Sequence, residues 1–106
     1  MQGEQVGEVR FPFSGRIIEW RGPAPFHFVR LDDAAVRGVR EHAPRFSYGW
    51  GVVAVMAESG GIQWKTSLFP KEGGYLLPVK DAVRGPAGWL PGDRIEGILR
   101  LVPRSE

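Results

Sequence analysis

The sequence predicts a mainly-β domain, a small barrel of about six or seven strands with two short helices. Three observations predict it. Fifteen glycines and nine prolines in 106 residues make a turn-rich chain that favours short strands. Apolar residues alternate with polar ones through several segments, the period of a half-buried strand. Two Gly-Gly pairs, Gly60-Gly61 and Gly73-Gly74, separate alternating runs as hairpin turns do.

From Val6 to Trp20, Val9, Phe11 and Phe13 share one face, and Glu8, Arg10 and Pro12 the other. Pro12 cannot donate to a ladder, so an unpaired edge or a bulge is expected there. Ser14-Gly15 interrupts the run, which predicts a bulge or tight bend at Gly15. Trp20 to Pro25 reads as a turn, and it feeds F-H-F-V-R-L, where His27 lies opposite Phe26 and Phe28. Asp32-Asp33 caps a helix over Ala34–Glu41 with Val36 and Val39 inward. Capping and the helix dipole explain that acidic pair better than catalysis does. Gly38 costs this helix about 1 kcal/mol relative to alanine.

Ala43 to Gly51 reads as a loop carrying Phe46, Tyr48 and Trp50. V-V-A-V-M-A follows, apolar on both faces and therefore expected to be central. After the turn at Glu58-Ser59-Gly60-Gly61, Ile62, Trp64, Thr66 and Leu68 share one face of the next strand. Gln63, Lys65, Ser67 and Phe69 share the other, and an apolar Phe69 there hints that something covers its far end. Beyond the Lys71–Gly74 turn comes the short strand Tyr75-Leu76-Leu77. A second helix is expected over Val79–Arg84, started by Pro78 and stopped by Gly85-Pro86. Leu90-Pro91-Gly92-Asp93 turns into a last strand with Ile95, Leu99 and Leu101 on one face. No internal repeat, low-complexity tract or linker is visible, so residues 1–106 are expected to form one domain.

Composition narrows the function classes. The absence of cysteine removes disulfide frameworks, thiolate metal sites and cysteine nucleophiles. Two histidines are too few to suggest a structural zinc site, and no cofactor is expected. No apolar run approaches a membrane span, and the N-terminus lacks the basic start and apolar core of a signal peptide. A cytoplasmic protein that does not engage membranes is expected. Net charge is +2, with scattered arginines and no run of like charge, so tight nucleic-acid binding is not expected.

Five motifs carry a family resemblance: W-R-G-P-A-P-F-H-F from Trp20, Y-G-W-G-V-V-A-V from Tyr48, W-K-T-S-L-F-P from Trp64, Y-L-L-P-V-K-D-A-V-R from Tyr75, and G-D-R-I-E from Gly92. In this order they resemble a bacterial family of domains of unknown function, numbered nineteen-oh-five. The resemblance covers nearly the whole chain and implies a compact β-barrel. Some members carry a further helical segment associated with bacteriocin protection; the 106 residues hold the barrel motifs and not that segment, so its role is not carried over. No catalytic residues come with the resemblance. The unit L-L-P-V-K-D-A-V-R…G-D-R-I-E is also similar to the strand–Pro–helix–Gly-Asp–strand element of AbrB- and MazE-like barrels, which are dimeric DNA binders. The barrel is therefore expected to be of double-split or AbrB-like type, and a fold likeness alone carries no function.

Three functions are open. The leading one is a binding or interaction module without catalytic activity. Four tryptophans, Trp20, Trp50, Trp64 and Trp89, exceed what a small core requires, and indoles often border clefts because their N–H needs a partner. Trp20, Arg21, His27, Trp64, Lys65 and Ser67 are the candidate ligand-binding residues. They suit an anionic or sugar-like small ligand, or a protein partner, bound by a monomer or homodimer. The bland alternative is that the tryptophans plug the barrel. The second function is a dimeric AbrB-like nucleic-acid binder. The third is a hydrolase using Ser67 or Thr66 with Lys65 or His27, although no nucleophile elbow or S-x-x-K spacing is present.

Overall fold

A computed structural model of the chain describes residues 8–22, 26–47 and 50–103. Val6 and Gly7 of the expected first strand, Pro23 to Pro25 of the first turn, and Tyr48 and Gly49 of the aromatic loop lie outside the described residues. The elements in chain order are β1 (Val9–Trp20), β2 (Phe26–Arg30), α1 (Asp33–Phe46), β3 (Val53–Ser59), β4 (Ile62–Lys71), β5 (Gly74–Val79), α2 (Asp81–Ala87) and β6 (Arg94–Leu101). The six strands close an antiparallel barrel in the order β1-β2-β5-β4-β3-β6. The fold is thus the small, mainly-β barrel with two helices that the alternation implies. Among the described residues no helix is long and apolar enough to cross a membrane.

Two long strands build the barrel from two layers. β1 pairs with β6 from Val9 to Arg16 and with β2 from Ile17 to Trp20. β4 pairs with β3 from Ile62 to Leu68 and with β5 from Phe69 to Lys71. One layer is therefore β1–β6–β3–β4 and the other β1–β2–β5–β4, with β1 and β4 common to both. Exchanging β1 with β4, β2 with β5 and β3 with β6 leaves the cyclic order unchanged. The chain is two ββαβ halves, a repeat of topology that the residues themselves do not display.

Gly15 marks the change of partner on β1 without a bulge. The registers on either side are continuous, so the inward alternation runs unbroken through Phe13 and Ile17. A Cβ at Gly15 would sit 2.5 Å from both the Arg30 carbonyl oxygen and Val29 Cγ1, so glycine is required by close approach. Pro12 fits for a related reason. The Ser14 carbonyl oxygen accepts from the Asp32 backbone N–H, and the Ser14 N–H donates to Asp32 Oδ1, on the side of β1 away from β6. Pro12, two residues earlier, points to the same side, so its missing N–H breaks no ladder bond.

Both helices differ in extent from expectation. α1 takes in the first four residues of the expected loop, from Ala43 through Pro44 to Phe46. Pro44 removes one intrahelical bond, but Phe46 is buried in the core and anchors the last turn. Gly38 is explained by packing, because a Cβ there would meet the Phe11 ring at 3.0 Å. Pro78 lies in β5, opposite Phe28, and does not start the second helix. α2 begins at Asp81 and runs through Gly85-Pro86 to Ala87. It ends at left-handed Gly88, where the Gly88 N–H donates to the Gly85 carbonyl oxygen and the Trp89 N–H to the Arg84 carbonyl oxygen. That turn sends Trp89 back over the barrel.

The interior is filled by alternate residues of every strand. Val53, Val55 and Ala57 of β3, Trp64 and Leu68 of β4, and Ile95, Leu99 and Leu101 of β6 are all buried. β3 is buried on this side only; Ala54, Met56 and Glu58 are half-buried on its outer side, so the strand is not doubly covered. α1 adds Ala35, Val36 and Val39 to the core.

Candidate functional site

The outer face of the β1–β2–β5–β4 layer departs most from what solvent-facing strands usually carry. Outward residues pair as Ile18 with Phe28, Trp20 with Phe26, and Phe69 with Leu76. Each pair joins two apolar side chains on the solvent side, where antiparallel sheets are ordinarily polar. Phe28 and Leu76 form the buried floor. Ile18, Trp20 and Phe26 remain 40%, 50% and 43% exposed.

The aromatic wall is ordered. Trp20 stacks on Phe26 with ring centroids 6.4 Å apart, and Phe26 tilts against Phe28 at 5.7 Å. Lys71, at the tip of the β4–β5 hairpin, places its Nζ 5.9 Å from the centroid of the Trp20 ring. A cation–π contact thus joins the last residue of β1 to the β4–β5 hairpin over this face. Arg30 reaches the same β4–β5 turn and donates from Nη2 to the Glu72 carbonyl oxygen at 2.8 Å. The open groove measures about 590 Å³, within the range of small-ligand sites. It offers an apolar floor, two stacked rings and two cations at the rim.

The candidate residues named from sequence are spread over three places. Trp20 is in the groove wall. Arg21 follows it, exposed, with Nε 3.7 Å from Glu19 Oε1. His27 is buried on the inner side of β2, where Nε2 lies 3.8 Å from Glu19 Oε2 and Nδ1 3.8 Å from Asp81 Oδ1. Both separations exceed hydrogen-bond length, and Nδ1 has no hydrogen-bond partner among the described residues. Trp64 lies inside the barrel, where its Nε1 donates to the Pro78 carbonyl oxygen at 3.0 Å. Its ring meets Trp89 edge-on at 5.7 Å. Lys65 and Ser67 face outward on β4, in the other layer, opposite Met56 and Ala54. The structure brings Glu19, His27 and Asp81 together, but it does not bring His27 to Ser67 or Trp64 to Trp20.

The tryptophans divide between both roles. Trp64 and Trp89 plug the barrel end, Trp20 borders the groove, and Trp50 is 95% exposed. Trp50 also holds a left-handed backbone, with φ 58°, in the turn before β3. The groove residues not named from sequence are the apolar Ile18, Phe26, Phe28, Phe69 and Leu76 and, at the rim, Arg30, Lys71 and Glu72. Their signal was present in part: Phe69 shares an outward face with Lys65, and the two phenylalanines of F-H-F oppose His27. Among the described residues, no group of three His, Cys, Asp or Glu side chains could hold a metal ion.

No curated protein matches the chain. A family model does, over residues 13–97, which spans both layers of the barrel and both helices. The chain belongs to the family described as Domain of unknown function (DUF1905).

Proposed function

We propose that this domain is a non-catalytic binding module whose ligand is a small organic anion with an aromatic or apolar body. The observation that carries this reading is the exposed Trp20–Phe26 stack beneath the Lys71 ammonium. Scattered exposed apolar residues are ordinary, whereas a contiguous aromatic groove on a monomer marks a contact site. The Phe28 and Leu76 floor excludes water from the ligand body. Lys71 and Arg30 at the rim favour a carboxylate or sulfonate over a neutral or cationic group.

Anilinonaphthalene sulfonate, an aromatic body with one anionic group, is a direct probe. The native protein should bind it once, with fluorescence enhancement while the fold remains intact by NMR. Trp20→Ala and Lys71→Glu should each weaken binding about tenfold, or ~1.4 kcal/mol. Unchanged affinity in both folded variants would place the probe elsewhere and remove this reading.

A further inference from the structure

The outer face of the other layer carries a second, chemically opposite feature. Across β1, β6, β3 and β4 the outward residues of one row are Arg10, Arg100, Met56 and Lys65, each in register with the next. Like charges directly opposite across strands repel. Arg10 and Arg100 are nonetheless partners, and Lys65 stands on the far side of Met56.

A second arginine pair on the same two strands serves as an internal control. Arg16 and Arg94 are also opposite one another. Their charges are engaged: Arg16 donates to the Gly92 carbonyl oxygen at 3.0 Å, and Arg94 donates to Ser14 Oγ at 3.1 Å and lies 3.9 Å from Glu96. In the first pair, Arg10 reaches Glu8 at 3.2 Å. Arg100 and Lys65 make no hydrogen bond or ion pair among the described residues, although Arg100 is half-buried. A half-desolvated guanidinium beside a like charge is held at a cost that an anion would offset.

The surroundings limit what that anion is. A trough of about 630 Å³ runs beside the row, lined by Met56, Ile98, Gln63 and Glu58 as well as the arginines. Lys65 stands outside that lining, in register with Met56 on its far side, and its long side chain is the cation nearest in the row to Arg100 across Met56. The guanidinium fork matches the paired oxygens of a phosphate. Met56 and Ile98 offer an apolar bed, and Gln63 an amide, to the remainder of a small molecule. Three cations in one row, with Glu58 in the next, are too few to hold a long polyanion against salt.

We infer that the Arg10–Arg100–Met56–Lys65 row is a binding site for the phosphate group of a small phosphomonoester, separate from the aromatic groove and independent of its proposed role. The test is NMR titration of the labelled full chain with inorganic phosphate and with phenyl phosphate, against chloride at matched ionic strength. Saturable shift changes are expected at Met56, Lys65 and Arg100, with phenyl phosphate also moving Ile98 and Gln63. Arg100→Gln and Lys65→Gln should each reduce affinity about tenfold, while Arg94→Gln leaves it unchanged. Shifts spread evenly over Arg16, Arg94 and the row, or no saturation, would overturn the inference. So would a single-stranded oligonucleotide that binds the row with a steep salt dependence while phenyl phosphate does not.

Discussion

The two outer faces of this barrel share an interior and have little else in common. The β1–β6–β3–β4 face is polar, with Arg10, Arg100, Glu58 and Gln63 around Met56 and Ile98 and Lys65 in register beyond Met56. The β1–β2–β5–β4 face presents Ile18, Trp20, Phe26, Phe28, Phe69 and Leu76, with its cations only at the rim. Both faces are made of the residues that alternate with the core positions, and β1 and β4 contribute to both. The same strand is polar outside at Arg10 and Lys65 and apolar outside at Ile18 and Phe69. Barrel closure dictates only the inward set, so the outward set is free to differ from one layer to the next. The departure from polarity on the β1–β2–β5–β4 face is what the proposed binding role rests on.

The largest test strikes the interior that both faces share. Trp64→Ala deletes a buried indole that packs on Trp89 and donates to Pro78, and should destabilise the domain by about 3–5 kcal/mol. Thermal melts should show one cooperative loss affecting both faces together. If this variant melted like the wild type, Trp64 would not be an inward residue and the division into inner and outer sets would be reversed.

A smaller effect should fall mainly on one layer. Gly97 faces Phe13 across the β1–β6 ladder, and a Cβ there would overlap the Glu58 carbonyl oxygen and lie 2.9 Å from Phe13 Cε1. Gly97→Ala should cost about 1–3 kcal/mol, the usual range for overpacking. Amide shifts should move more in β6 and β3 than in β2 and β5. Equal disturbance of both layers would show that they do not respond separately.

The smallest effect is expected outside. Lys65 is exposed, with no ion pair among the described residues, so Lys65→Ala should change stability by less than about 0.5 kcal/mol. Denaturant midpoints for this variant and Trp64→Ala, neighbours on β4, should therefore differ widely. Coincident midpoints would erase the inside–outside contrast on that strand.

Most of the barrel was legible from residue order, because a strand with one buried face must alternate. The inward sets of β4 and β6, the Gly-Gly hairpins and the existence of both helices all follow from period and turn chemistry. Helix ends did not, since Pro44 and Pro86 signal a stop that Phe46 and Trp89 override by packing on the barrel. The two-fold ββαβ repeat was invisible, because equivalent positions such as Ile18 and Phe69 need only be apolar and extended. The candidate site shows the same division. The sequence placed Phe69 on the outward face of its strand, where it was recognisable as unusual, and named Trp20 as a candidate without assigning it a face. Only the tertiary structure decided that β1–β2 and β4–β5 curl together, bringing Lys71 over Trp20 while leaving His27, Trp64 and Ser67 in different places. Strand period is a local property of the chain, whereas strand neighbourhood depends on closure between segments some fifty residues apart, from Trp20 to Lys71.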